Sequence, residues 1–455
     1  MQRLTALQHP MITQLIQQHE NDLLKLTRGL GSPLHVVFPQ IFSENVQRFK
    51  QVLSQLGIQG SILFAKKANK ANCFVHACLD NQIGIDVASI GELTKALSSG
   101  MTGERIGISG PDKVAGLLRV AIHHNCLIAV DSLDELRRIG ALAQLYQRSC
   151  RVLLRCQSSS QTHSRFGLLD SEMGQAFQLC AEFPTHIQLL GFSFHLSGYD
   201  LASRAHMANH LIELCSEARK KGFNDCHIVN IGGGIPVQYI DAKVWSQFKD
   251  LDLPQHYHAL KKFEGFYPYS SQFAGVQAFI EILNTRIEPE CTLAEKLKNN
   301  NIHLIVEPGR ALLDQAGISL FRIQGIKSFK QAIEPYSLLT VDGSSFSLSE
   351  QWFNSEYLPD PIILPQKDCA TDEFVACVGG ASCLEVDMLT WRKIHFQQPV
   401  QIGDFCTYLN TAGYQMDSNE STFHDANIPL KVVVQVKNQM VDWYLDEQSL
   451  HLQNH

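Results

Sequence analysis

Residues 61–70 read "SILFAKKANK". The apolar run 61–65 has the length and continuity of a strand buried on both faces, as in a parallel sheet. It ends on two adjacent lysines, Lys66 and Lys67. A buried strand finishes that way when one ammonium is solvated and the other is put to use. The same texture repeats downstream. Candidate strands follow at 83–89, 105–110, 127–132, 151–157, 189–198, 227–234 and 303–309, making eight with the first. Amphipathic stretches such as "GELTKALSSG" and "SLDELRRIGALAQLY" separate them, with apolar spacings of three and four. Eight strands alternating with helices predict a (β/α)8 TIM-type barrel, and a doubly wound open sheet is the competing reading. The run "LHVVF" at 34–38 is a ninth candidate, expected to lead into the barrel, so the barrel is drawn over 34–310.

After residue 310 the texture changes. "ISLFRIQGI", "YSLLTVDG", "EFVACVGG", "DFCTYLN" and "KVVVQVKNQMVDWYL" follow one another with few helical patterns between them. Residues 311–455 therefore read as a mostly antiparallel β domain. Residues 1–33 form an N-terminal segment expected to pack on it. A long segment, 235–302, separates barrel strands seven and eight and holds an aromatic cluster at 245–273. It reads either as an elaborated surface insertion or as a cover over the site.

The chain has 455 residues, 45% of them hydrophobic, with a formal charge of −7. That balance, with no basic block, argues against a nucleic-acid or membrane-surface partner. The first twenty residues lack the apolar core and small-residue cleavage site of a signal peptide, and no apolar run approaches the length of a membrane span. The thirteen cysteines are scattered without a C-x-x-C pair. This fits reduced thiols and a cytoplasmic location, and no metal site is read.

Active sites of such barrels form at the C-terminal ends of the strands. Strand one ends in Lys66 and Lys67, strand two near Asp86, strand five at Arg155 and strand six at His195. Strand seven ends in Gly232-Gly233-Gly234 and strand eight in Glu307-Pro308-Gly309-Arg310. Backbone N–H groups of a triglycine turn, next to an arginine fork, suit a phosphate. A lysine, a phosphate cradle, a flat imidazole and a carboxylate would together serve a phosphorylated aldehyde cofactor held as a Schiff base.

These residues resemble the fold-type III pyridoxal-phosphate decarboxylases, the group of diaminopimelate and ornithine decarboxylases. "FAKKAN" (64–69) is similar to the family's Y-A-V-K-A-N, which places the cofactor lysine at Lys67 and puts Lys66 at the valine. "GIDVASIGEL" matches D-V-x-S-x-G-E-L, with Asp86 19 residues after Lys67. "VDSLDEL", "RFG", "GFSFHLSG", "NIGGG", "EPGR" and "VGGASCLEVD" follow in family order. The sequence also departs from the pattern. H-x-G-S becomes His195-Leu196-Ser197-Gly198, Asn230 replaces an aspartate before the glycines, and G-A-Y becomes Ala412-Gly413-Tyr414. The R-P-x-x-Y segment is absent, and Leu384 stands where basic amino acid decarboxylases carry an acid, with Glu385 one step later.

The resemblance implies pyridoxal 5′-phosphate as cofactor, bound by Lys67, Asp86, Arg155, His195, Ser197, the three glycines, Glu307, Gly309, Arg310 and Tyr414. Lys67, His195 and Cys383 would be catalytic, and Cys383, Glu385 and Asp387 would meet the substrate. It further implies a homodimer with shared sites, in which Cys383 and Asp387 come from the partner subunit. The implied reaction is decarboxylation of an amino acid of the diamino or diamino-dicarboxylic class. A racemase on the same fold and a non-catalytic cofactor-binding homologue are the alternatives; Glu307 at the ring nitrogen speaks against the racemase.

Overall fold

The structure, a computed structural model, describes residues 3–330, 334–348, 355–367, 373–437 and 440–450. The chain folds as two compact units. One comprises 43–235 and 275–312, and the other the described residues of 1–42, 236–274 and 313–455.

The first unit is the predicted barrel. Its eight strands are Gly60–Ala65, Gly84–Val87, Ile106–Ile108, Leu127–Val130, Cys150–Arg155, Ile187–Ser193, Ile228–Asn230 and His303–Val306. All pair in parallel, and the last closes on the first, Leu304 beside Gly60 and Val306 beside Ile62. A layer of Leu63, Leu127, Leu153, Leu190, Ile228 and Ile305 forms a buried cluster. A cavity of about 200 Å³ opens at the N-terminal ends of the strands, away from the polar strand ends. Two helices that follow strands are started by serine caps. Ser89 Oγ accepts the Glu92 N–H at 3.2 Å, and Ser132 Oγ accepts the Glu135 N–H at 3.1 Å. Each glutamate reaches back to the main chain, Glu92 to Ala88 and Glu135 to Asp131, both at 2.8 Å. These reciprocal caps give the S-x-x-E spacing of both motifs a structural reason.

The second unit is built on a nine-stranded, mostly antiparallel sheet. Gly317–Phe329 is its long strand and pairs antiparallel with Tyr336–Val341, Phe405–Leu409 and Leu34–Val37. Two pairings are parallel, Tyr336–Val341 with Phe374–Gly379 and Leu34–Val37 with Leu430–Lys437.

The boundary expected at residue 34 is therefore corrected. Leu34–Val37 is hydrogen-bonded on both edges within this second sheet and does not lead into the barrel as a strand. A four-residue run buried on both faces looks the same in either sheet. The segment 236–274 also belongs to the second unit, not to a surface insertion of the barrel. Tyr239, Tyr267 and Tyr269 are fully buried there; Tyr239 packs edge-on against Tyr357, and Tyr269 against Tyr267, Tyr357 and Trp245.

Candidate active site

Lys66 and Lys67 occupy a single 3-10 turn, Lys66–Ala68, directly after the first barrel strand. Lys66 is 1% exposed, its Nζ donates to Lys70 O at 3.0 Å, and its charge reaches Cys78 on the following helix. Lys67 is exposed. The accessible lysine is thus the one at the cofactor position, and the desolvated one is its neighbour. The charge of Lys67 is felt at Asp86 and His195, and Asp86 also feels Glu307.

Those charges come from neighbouring strand ends. Asp86 is buried and accepts from Ser109 Oγ at 2.9 Å. Burial and the nearby Glu307 carboxylate push Asp86 well above the usual carboxylate range, while Lys67 pulls it down. Burial and a neighbouring anion both favour the neutral acid, so Asp86 is inclined to keep a proton. Glu307 is held by Asn230, whose Nδ2 donates to Glu307 Oε1 at 2.6 Å. Asn230 Oδ1 in turn accepts the Gly232 N–H at 2.9 Å, and the Glu307 N–H donates to Gly232 O at 2.8 Å.

The glycine turn admits no side chains. Gly232 and Gly234 have φ of 65° and 74°, in the left-handed region. A Cβ on Gly233 would lie 2.6 Å from Glu307 O, and one on Gly234 would lie 1.9 Å from Arg204 Nη2. His195 stands over this turn, its Nδ1 3.5 Å from the Gly233 nitrogen. Desolvation, with the positive fields of Lys67, Arg155 and Arg204, lowers the His195 imidazole to about 3. The ring is therefore neutral near pH 7.

Arg155 pairs with Asp131 at 3.1 Å and lies 4.4 Å over the Phe166 ring of the "RFG" motif. Asp131 is positioned from below by Glu135, which also pairs with Lys113 at 3.1 Å, both side chains 1% exposed or less. Arg310, buried, follows Gly309 immediately after the last strand. Ser197 is exposed, and its main chain is clamped by Gln161 at 3.0 and 2.8 Å.

Sequence reasoning missed Arg204. Its guanidinium is 1% exposed and donates to main-chain oxygens of Gly233 (3.2 Å), Leu196 (3.0 Å), Gly198 (2.8 Å) and Asp200 (3.1 Å). It ties the His195 loop to the triglycine turn. In "LASRAHMANH" it reads as an ordinary helix-surface arginine; the close-packed glycines were the available signal. Lys113 and Glu135 were missed for the same reason, since a buried ion pair has no local pattern.

The other four predicted residues lie in the second unit. Cys383 Sγ is 3.1 Å from His424 Nε2, and Glu385 is exposed, with its charge reaching His258. Asp387 is buried and accepts the Ser345 N–H at 2.7 Å and the Ser382 N–H at 3.1 Å, so its carboxylate braces the loop. Tyr414 sits in a turn with φ of 74°, its carbonyl accepting from Asp417 and Ser418.

The barrel rim fits a phosphorylated aldehyde cofactor. It offers an accessible lysine and a Cβ-free cradle, with the positive fields of Lys67, Arg155 and Arg204 meeting at His195. Asp86 Oδ1 and Ser193 Oγ are buried and lack a hydrogen-bond partner among the described residues. Barrel, closing strand order and rim together define a pyridoxal-phosphate enzyme of the barrel type. Residues 42–314 match the family model for the pyridoxal-binding domain of pyridoxal-dependent decarboxylases, and the chain belongs to that family. Its cofactor is pyridoxal 5′-phosphate and its reaction class is that of a carboxy-lyase. An uncharacterized protein of Sinorhizobium fredii, y4yA, is 35% identical over 89% of this chain and 88% of that relative. The diaminopimelate decarboxylase of Bacillus subtilis is 26% identical over 92% of this chain and 89% of its own. The solved diaminopimelate decarboxylase of Helicobacter pylori, complexed with L-lysine, has the same fold, with a TM-score of 0.71 at 18% identity over 94% of this chain and 98% of that one. No helix among the described residues is long and apolar enough to cross a membrane.

Proposed function

We propose that this protein is a cytoplasmic homodimer that removes the α-carboxylate of an amino acid of the diamino or diamino-dicarboxylic class. The single observation that carries the reading is the convergence of Lys67, Asp86, His195 and Glu307 on one rim, beside the triglycine cradle. Bound pyridoxal phosphate supplies the electron sink for the pair left behind when CO2 departs.

The chain's own residues do the rest. Lys67 Nζ, exposed at the rim, would be the amine that holds the cofactor by its aldehyde. Glu307, fixed by Asn230, would face the ring nitrogen and favour its protonated form, as a neighbouring anion does. Neutral His195 gives the ring a flat face without adding a competing charge. The triglycine N–H groups, Gly309, Arg310 and Tyr414 would hold the phosphate, with Ser197 bordering it, and Arg204 fixes the loops around the glycine turn. Asp86 and Arg155 set the field around Lys67. Cys383 Sγ, entering from the neighbouring subunit, returns a proton to the product carbon, and Asp387 holds its loop in shape.

The test is CO2 release by the holoenzyme across D- and L-forms of ornithine, lysine, arginine and diaminopimelate. Release from at least one, abolished by Lys67→Ala, is the expected result. A purified, cofactor-loaded protein that releases CO2 from none of them sinks the reading.

A further inference from the structure

Arg204 sits where a positive charge is disfavoured twice. It ends the first turn of the helix Leu201–Lys220, which is capped by Asp200 Oδ1 accepting the Ser203 N–H at 2.5 Å. A helix N-terminus carries partial positive charge of its own and disfavours a cation. The side chain is also 1% exposed, and an ion taken out of water is costly unless an opposite charge answers it. Among the described residues no ion pair involves it. Asp200 is the carboxylate whose charge it feels, and that group is exposed and engaged with the Ser203 N–H. The main-chain oxygens of Leu196, Gly198, Asp200 and Gly233 satisfy its N–H groups and leave its charge unanswered.

Those bonds set the geometry of the glycine turn. Gly233 O faces the guanidinium, with Arg204 Nε 3.2 Å away. The peptide that follows is trans, so its C=O and N–H point in opposite directions and the Gly234 N–H faces away from Arg204. The guanidinium packs directly on Gly234, where a Cβ would lie 1.9 Å from Nη2. Of the glycine N–H groups, that of Gly232 is given to Asn230 Oδ1 at 2.9 Å, and that of Gly233 lies 3.5 Å from His195 Nδ1. The Gly234 N–H has no hydrogen-bond partner among the described residues. A cation on the carbonyl side polarises the peptide and strengthens this N–H as a donor. The charge of Arg204 carries beyond the turn, since it is felt at His195.

We propose that Arg204 is a positioning residue for the phosphate of the cofactor. By holding Gly233 O it presents the Gly234 N–H to the phosphate, and its own charge, unpaired within the chain, makes the turn selective for an anion. The inference rests on the cofactor assignment and is independent of which amino acid is decarboxylated.

The test is ligand binding by the full-length protein freed of cofactor, followed by ligand absorbance and intrinsic fluorescence. The probes are pyridoxal 5′-phosphate, pyridoxal and inorganic phosphate. Pyridoxal keeps the aldehyde and the ring and lacks the phosphate, so a role confined to the phosphate end leaves its binding alone. Arg204→Met should weaken pyridoxal 5′-phosphate about 10-fold or more, as for loss of a charge-assisted interaction, and should abolish competition by inorganic phosphate. Pyridoxal should bind as it does to the unaltered protein. Arg204→Lys keeps the charge but cannot bridge the carbonyls as a fork does. It should fall between the two, with its loss again confined to the phosphorylated ligand, and it carries the test alone where the methionine variant does not fold. An equal loss for pyridoxal and pyridoxal 5′-phosphate in either variant would mean that Arg204 only ties the loops together. Unchanged affinity for pyridoxal 5′-phosphate in either variant would mean that the phosphate does not depend on the guanidinium. Either result overturns the inference, and neither touches the decarboxylase reading, which is tested by CO2 release.

Discussion

Asn230 Nδ2 and Glu307 Oε1 lie 2.6 Å apart, at the ends of adjacent barrel strands 77 residues apart in sequence. The amide spends its other end on the Gly232 N–H, so one side chain fixes both the carboxylate and the phosphate turn. A neutral donor steadies Glu307 without neutralising it. Glu307→Gln keeps the shape and removes the charge. We expect kcat to fall roughly 10²-fold or more, as for removal of one key electrostatic group, while the cofactor still binds. Steady-state CO2 release with absorbance of the bound cofactor checks it; unchanged turnover would make Glu307 a structural group.

The two lysines make the second prediction. Lys67 is exposed at the rim, and Lys66 is buried on Lys70 O. Borohydride reduction of the holoenzyme should therefore fix the cofactor to Lys67, as read by peptide mapping. Lys66→Met should keep the yellow colour, because Lys66 Nζ faces the outer helix. A tag on Lys66 would reject the assignment at its anchor.

How far the sequence could be read follows from where each signal is stored. Barrel strands were legible because each is a continuous apolar run with a polar residue at its end, as in 61–67 and 303–307. Leu34–Val37 was not, because its pairing with Gly317–Phe329 and with Leu430–Lys437 is set by residues nearly 300 or more positions away. The tyrosines of 236–274 look like surface aromatics until Tyr357 and Trp245 close around them. Within the site, residue types at strand ends announced Lys67, His195 and Glu307. The bond from Asn230 to Glu307, and the four carbonyls gathered by Arg204, exist only once the loops meet.

A pH dependence follows from His35. The ring is buried, its Nδ1 sharing a 2.8 Å hydrogen bond with Ser319 Oγ. Burial, then Lys431, lowers the imidazole to about 3, with Asp417 opposing. An unfolded histidine takes its proton near 6.5, so between these values the unfolded state binds more protons. Stability is full above about pH 6.5 and is lost as pH falls toward 3, by at most about 1.4 kcal/mol per unit from this group. His35→Gln keeps a polar partner for Ser319 and removes the titration. Urea midpoints between pH 7 and 5 should fall less steeply in the variant; parallel slopes would discard the role of His35.

Cys383 Sγ and His424 Nε2, 3.1 Å apart, give the last prediction. The thiolate is the reactive form of cysteine, and a ring nitrogen at this distance can share a hydrogen bond with the sulfur. Among the described cysteines Cys383 is the exposed one; Cys291 is half-buried and the others are buried. Iodoacetamide should therefore modify Cys383 first, as mapped by mass spectrometry. His424→Gln preserves a polar neighbour but removes the basic ring nitrogen beside the sulfur, and should slow alkylation of Cys383 by roughly 5- to 10-fold at pH 7. If the thiol returns a proton to the product carbon, the same variant should also lower kcat more than it raises KM. Equal alkylation rates in the two proteins would mean the imidazole only packs against the sulfur, and the proton must then come from elsewhere on the rim, with His195 the next residue to test.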